Sequence, residues 1–207
     1  MPSTPTHPID PRVYHLTRAH KIALLSGQNY WQMQGIPSFG LPAIILTDGP
    51  HGLRKQHSND DISLVNNVAA TCFPTASALA SSWDPELVAT VAAAIGREAR
   101  AEGVSVVLGP GVNIKRSPLG GRNFEYFSED PYLSGVLATQ YIQGIQSTGV
   151  GASLKHFAAN NQEYRRMTIN AVVDARALHE IYLASFEPAV IEGQPWTVMC
   201  AYNSVNG

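Results

Sequence analysis

Four short apolar runs in this 207-residue chain each lead into a polar group able to do chemistry. Asp48 directly follows the run at 44–47. Arg122 lies in the long segment after 104–108. Lys155 and His156 follow 152–154, and Tyr202 comes two residues after 198–200. If these runs are parallel strands covered by helices, their C-terminal ends share one rim, and ligands bind on such a rim. An acid, a guanidinium, an ammonium beside an imidazole, and a phenol offer donors and acceptors in several directions. That mixture suits a neutral polyhydroxylated ligand. A phosphate asks for glycine-rich amides and positive charge without an aspartate. A metal asks for clustered carboxylates or histidines, and no such spacing occurs in the sequence. No cofactor is expected.

Each residue also has a purely structural reading. Asp48 before Gly-Pro can close a turn through its own side chain. Arg122 can pair with Glu125 or Glu129 and fix its own loop. His156 alone reads as a core histidine, Tyr202 as core and Met199 as strand packing. Arg54, Lys55, Arg165 and Arg166 read singly as solvated charge, and Glu98, Glu102, Glu180 and Glu187 as helix-surface acids. Lys155 is different, because an ammonium at a strand end is costly to bury without a partner.

The elements that must position these groups follow from periodicity and caps. Residues 16–26 read as a helix with Thr17 as cap and Gly27 as stop. The run 42–47 is a buried strand ending at Asp-Gly-Pro-His-Gly, and a polar loop follows to about residue 68. A short strand is expected at 77–81. Asp84-Pro85 opens a helix with Leu87, Val88, Val91, Ala94 and Ile95 as its apolar stripe, closed by Gly103. Strand 104–108, helix 131–146 capped by Asp130, strand 149–154, helix 175–191 capped by Asp174, and strand 196–200 complete the series. The alternation argues for a parallel α/β sheet. Between 108 and 131 lie roughly twenty residues, against about 2–6 for an ordinary connection of this kind, so that loop is expected to carry function.

Composition bounds the rest. The formal net charge is −2 and 44% of residues are hydrophobic, so neither a nucleic-acid nor a membrane footprint is expected. No apolar run approaches the ~18 residues of a membrane span. Residues 1–15 are polar and proline-rich, read as a mobile lead-in without a secretory pattern, and a cytoplasmic location is expected. Cys72 and Cys200 sit in apolar context and are expected to be buried free thiols.

The motifs taken together go further. Leu46-Thr-Asp-Gly-Pro-His-Gly-Leu-Arg54, Phe73-Pro-Thr, Gly109-Pro-Gly-Val-Asn-Ile-Lys-Arg-Ser-Pro with Gly-Arg-Asn-Phe-Glu-Tyr-Phe-Ser-Glu-Asp-Pro131, Lys155-His-Phe-Ala-Ala-Asn-Asn-Gln-Glu and Val198-Met-Cys-Ala-Tyr-Asn-Ser-Val-Asn-Gly207 occur in this order. The chain resembles, from about residue 16 to 207, the N-terminal domain of glycoside hydrolase family 3, β-glucosidase type. The resemblance implies a (β/α)8 TIM-type barrel, incomplete at the C-terminal side, with roughly the first five or six β/α units present. It implies retaining, β-glucosidase-like removal of a terminal sugar. Asp48, Arg54, Arg122, Lys155, His156, Arg166 and Tyr202 would hold the hydroxyls of that sugar, with Met199 beside the ring.

Retaining cleavage needs a nucleophilic carboxylate and an acid/base carboxyl. The resemblance places both beyond Gly207, the nucleophile on a later barrel segment and the acid/base group on a second domain. Those segments, with a β-linked glucoside or related glycoside, are the expected partners, and the chain alone is expected to be inactive. The Lys155-His-Phe-Ala-Ala-Asn-Asn sequence lacks the Pro-Gly-His-Gly of the N-acetylhexosaminidase branch. Two other readings stand beside this one: a non-catalytic sugar-binding remnant, and a Schiff-base aldolase using Lys155 as its amine.

Overall fold

The computed structural model describes residues 9–58, 63 and 65–207. Residues 1–8 of the expected lead-in and part of the polar loop before residue 68 lie outside the described residues. The helices are α1 (Arg12–His15), α2 (Arg18–Leu24), α3 (Ala76–Ser81), α4 (Pro85–Ala101), α5 (Pro131–Gln146), α6 (Ala175–Ala177) and α7 (Phe186–Ile191). The strands are β1 (Gln32–Met33), β2 (Ile44–Thr47), β3 (Val106–Val107), β4 (Gly151–Phe157), β5 (Asn170–Ala171), β6 (Thr197–Cys200) and β7 (Ser204–Val205).

The main sheet has the order β1-β2-β3-β4-β6. β2, β3, β4 and β6 are parallel, and β1 joins β2 antiparallel. The fold is therefore α/β, and the described residues give it four parallel strands rather than the expected five or six. One expected strand is a helix instead. Ala76–Ser81 winds from a Thr75 cap whose side chain accepts from the Ala78 amide, and the cap decides the conformation.

Pairing level sets where each chain leaves the sheet. Thr47 lies opposite Val107, Val107 opposite Ala152, and Lys155 opposite Met199. After β3 the backbone stays alongside β4: the Lys155 amide donates to the Pro110 carbonyl (2.9 Å), and the Val112 amide to the Lys155 carbonyl (2.9 Å). The long loop thus begins as an irregular extension of the sheet. Its first residues are held level with Lys155.

The core lies between this sheet and the α4/α5 pair. Val88, Ala92, Ile95 and Ala99 of α4 meet Leu137, Ala138, Tyr141, Ile142 and Ile145 of α5, all within one buried cluster. This stripe is rotated from the expected one. Leu87 is exposed and Ala92 and Ala99 are buried, a spacing of four, three and four that follows the helical repeat more closely. Two glycines allow close approach: a Cβ on Gly144 would stand 2.5 Å from the Ala89 carbonyl oxygen, and one on Gly96 would stand 2.6 Å from Thr148 Oγ1.

The single helix expected over 175–191 is three pieces. Asp174 caps α6 through the Ala177 amide as expected, then Leu178–Tyr182 widens to a π turn, and α7 starts afresh at Phe186. Pro188 gives the reason. It has no amide hydrogen, so it fits the first turn of a new helix and not the middle of a long one. Both cysteines are free, as expected, but exposed rather than buried.

Candidate active site

The turn after β2 is built to bring two side chains back onto each other. Gly49 (φ +121°) and Gly52 (φ +141°) hold backbone conformations that other residues rarely adopt, and a Cβ on Gly49 would strike the Gly52 carbonyl. Thr47 is buried and donates from Oγ1 to the Arg54 carbonyl (2.6 Å), and the Arg54 amide returns to the Asp48 carbonyl (3.0 Å). Arg54 consequently ion-pairs with Asp48 Oδ2.

From Asp48 the charges alternate across three chain segments. Two of the contributing segments are loops and the third is β4 itself, from which Lys155 Nζ lies 3.0 Å from Asp48 Oδ1 and 3.4 Å from Glu125 Oε2. Glu125 Oε1 pairs with Arg122 Nε. Lys155 and Glu125 are both buried, so each charge is compensated where water cannot do it. Burial alone would raise the Asp48 carboxyl, but Lys155 and then Arg54 outweigh it and hold the group below the usual carboxylate range. The Arg122–Glu125 pairing allowed by the sequence is present, and it belongs to the site rather than replacing it.

His156 ends this series. Arg122 Nη2 is 2.9 Å from His156 Nε2, and a guanidinium can only donate, so Nε2 accepts and the ring is neutral with its proton on Nδ1. Burial, with Arg122 and Lys155 nearby, drives the imidazole pKa down to about 2. Nδ1 faces the Tyr126 hydroxyl at 3.1 Å and Asn113 Oδ1 at 3.3 Å. Asn113 also clamps the backbone here, accepting from the His156 amide and donating to its carbonyl, each at 2.9 Å.

Asp48, Arg54, Arg122, Glu125 and Arg166 line one cleft of about 680 Å³, together with His51, Phe124 and Cys72. Ligand cavities commonly span about 300–1,000 Å³. Lys155 and His156 lie behind this lining and touch it through Asp48, Glu125 and Arg122. Tyr202 and Met199 are not in the lining. Tyr202 reaches it through Arg166, whose guanidinium carbon sits 5.7 Å from the phenol ring centroid, and Met199 is the register partner of Lys155. The sequence therefore brought together residues spread over more than a hundred positions. Lys55, read as solvated charge, instead donates to the Glu102 carbonyl (2.7 Å).

Sequence reasoning missed Asn113, Tyr126, Glu163 and His51, and saw Glu125 only as a partner for Arg122. His51 lines the cleft with neither ring nitrogen hydrogen-bonded, and burial lowers its pKa to about 4. Its position two residues after the Gly49 turn was the available signal. Among the described residues no group of three His, Cys, Asp or Glu could hold a metal ion, and no helix is long and apolar enough to cross a membrane.

The described residues thus define a parallel α/β sheet with a charge-compensated polar cleft at its strand ends. The particular family follows from comparison. The glycosyl hydrolase family 3 N-terminal domain matches residues 24–207, and the chain belongs to that family. It is 60% identical over 196 residues to the thermostable β-glucosidase B of Acetivibrio thermocellus, covering 94% of this chain and 26% of that protein. It is 54% identical over 199 residues to an exo-α-(1→6)-L-arabinopyranosidase of Bifidobacterium longum, covering 95% and 26%. The crystal structure of a Bifidobacterium adolescentis family 3 β-glucosidase superposes with a TM-score of 0.88 at 53% identity, over 94% of this chain and 27% of that one. The β-glucosidase 3B of Thermotoga neapolitana in complex with glucose gives a TM-score of 0.87 at 44% identity, over 94% and 29%. The chain spans about a quarter of the length of these curated relatives.

Proposed function

We propose that this chain supplies the sugar-holding wall of a retaining, β-glucosidase-like glycoside hydrolase that removes a terminal sugar. In this reading residues 16–207 form the first part of a (β/α)8-type barrel, and residues 1–15 precede it. The observation that carries the proposal is the alternating series Arg54–Asp48–Lys155–Glu125–Arg122, ending on a neutral His156 at one cleft. Such a series presents fixed donors and acceptors with little net charge, which is what a neutral ring of hydroxyls can use. Asp48 accepts from neighbouring hydroxyls, while Arg54, Arg122, Lys155 and Arg166 donate to their oxygens as charge-assisted bonds. Tyr202 and Met199 flank the ring.

The same series explains why we place the reacting carboxyls elsewhere. Retaining hydrolysis uses two carboxyl groups about 5–5.5 Å apart, one as nucleophile and one as proton donor. Asp48 and Glu125 each face two cations, so both are committed to positioning. The nucleophile and the acid/base group then come from barrel and second-domain segments outside residues 1–207. An amine role for Lys155 has no support in this arrangement, because its ammonium is shared by two carboxylates.

Joining residues 1–207 to the part of the Acetivibrio thermocellus enzyme that follows the matching region tests the proposal. The hybrid should hydrolyse 4-nitrophenyl β-glucoside, and Lys155→Met in it should lower kcat/KM by about a hundredfold. Residues 1–207 alone should give no turnover. A hybrid that melts cooperatively yet neither cleaves nor binds a glucoside would favour the remnant reading.

A further inference from the structure

We infer that Glu163 is a positioning residue that sets Arg166 in the cleft wall and couples it to His156, without itself meeting the ligand; this rests on the sugar-holding reading above.

Glu163 sits in the loop between β4 and β5 and is absent from the cleft lining, whereas Arg166 is part of it. Each Glu163 oxygen has its own donor: Asn160 Nδ2 at 3.2 Å on Oε1, and Arg166 Nη1 at 3.1 Å on Oε2. Asn160, which is buried, also donates to the Tyr126 hydroxyl at 2.9 Å, and Tyr126 lies 3.1 Å from His156 Nδ1. Because Nδ1 carries the imidazole proton, Tyr126 accepts from both sides. The direction of every link is then determined: Arg122 donates to His156 and His156 to Tyr126, while Asn160 donates to Tyr126 and to Glu163, and Arg166 donates to Glu163. Within this series Glu163 is the one group with no hydrogen to give, and its neighbours on both sides are donors.

The energetics point to geometry rather than stability. Arg166 is 41% exposed in its side chain and Glu163 23%, and ion pairs exposed to that degree add little to folding. A long arginine, however, carries rotamer entropy that a ligand would otherwise have to remove on binding. Glu163 on one side and the Tyr202 ring on the other hold the guanidinium before any ligand arrives. The Gly121 backbone closes over the Glu163 side chain, with Cγ 3.4 Å from where a Cβ would be, so the loop carrying Arg122 also fits against it.

A double-mutant cycle in the hybrid protein tests this. Arg166→Met should lower kcat/KM for 4-nitrophenyl β-glucoside by about a hundredfold, and Glu163→Gln by about tenfold, mostly through KM. The double variant should match Arg166→Met within about twofold, and the melting temperature of Glu163→Gln should stay near that of the parent. Equal losses from Glu163→Gln with and without Arg166 would overturn the inference, as would no loss at all. Should Glu163→Gln fail to fold, Glu163→Asp, which keeps the charge but shortens the reach, runs the same cycle with the same criteria. An Arg166→Met variant with unchanged kcat/KM would instead remove Arg166 from the sugar-holding reading, a separate failure.

Discussion

Lys155 shows how a single residue organises the cleft. Its ammonium is buried and shared by Asp48 and Glu125, so removing either carboxylate leaves the buried charge only partly compensated. Asp48→Asn should therefore cost about 3 kcal/mol, read from urea unfolding of the hybrid at neutral pH. The pH dependence has a definite sign. The Asp48 carboxyl is held below its ordinary range in the folded protein, so its contribution is fully present above the unfolded value of about 3.9. It is lost as pH falls through the lower folded value, and the gap between parent and Asp48→Asn should close there. At this scale the sequence was legible where polar residues follow apolar runs directly, as with Asp48, Lys155 and His156. Glu125 was hidden because it sits seventeen positions past its run in an irregular loop, and only closure of that loop onto β4 gives it Lys155. Glu163 and Tyr126 were hidden for the same reason, since their roles exist only through other side chains.

At the scale of elements, the starts of the two long capped helices were legible to the residue. α4 and α5 begin at the prolines after Asp84 and Asp130, as read from the sequence. α3 was not, because five small residues around a single leucine carry no periodicity, and the Thr75 cap was the only cue. The π turn at Leu178–Tyr182 reflects a conflict between a continuous apolar pattern and Pro188, which pattern reading alone overlooks. The α4/α5 contact is also invisible in sequence, since a glycine in a helix reads as a weakness rather than a fitting. Gly144→Ala should expose its importance. The added methyl meets the Ala89 carbonyl oxygen and lies 2.8 Å from the Ala92 Cβ, so a loss of about 1–3 kcal/mol is expected in thermal unfolding.

For the molecule as a whole, the parallel order and the shared rim were legible, while the number of strands was not. β3 contributes two paired residues, and the strand expected at 77–81 is replaced by α3. Local apolar runs overstate a sheet whose length is decided by neighbours. Among the described residues β6 pairs only with β4; Val198 is exposed on it, and Trp196 is exposed just before it. The charge arrangement across two loops and β4 has a consequence for how the protein responds to its medium. Mobile ions shorten the reach of exposed charges to about 3 Å in molar salt, but they do not enter between buried partners such as Lys155 and Glu125. A neutral hydroxylated guest brings no counterions to release. Its affinity for the hybrid should therefore change less than about twofold from about 0.05 M to about 1 M sodium chloride, whereas an anionic guest drawn by the arginines would be progressively lost. Calorimetric titration across that series would show a recognition surface that keeps working in brine.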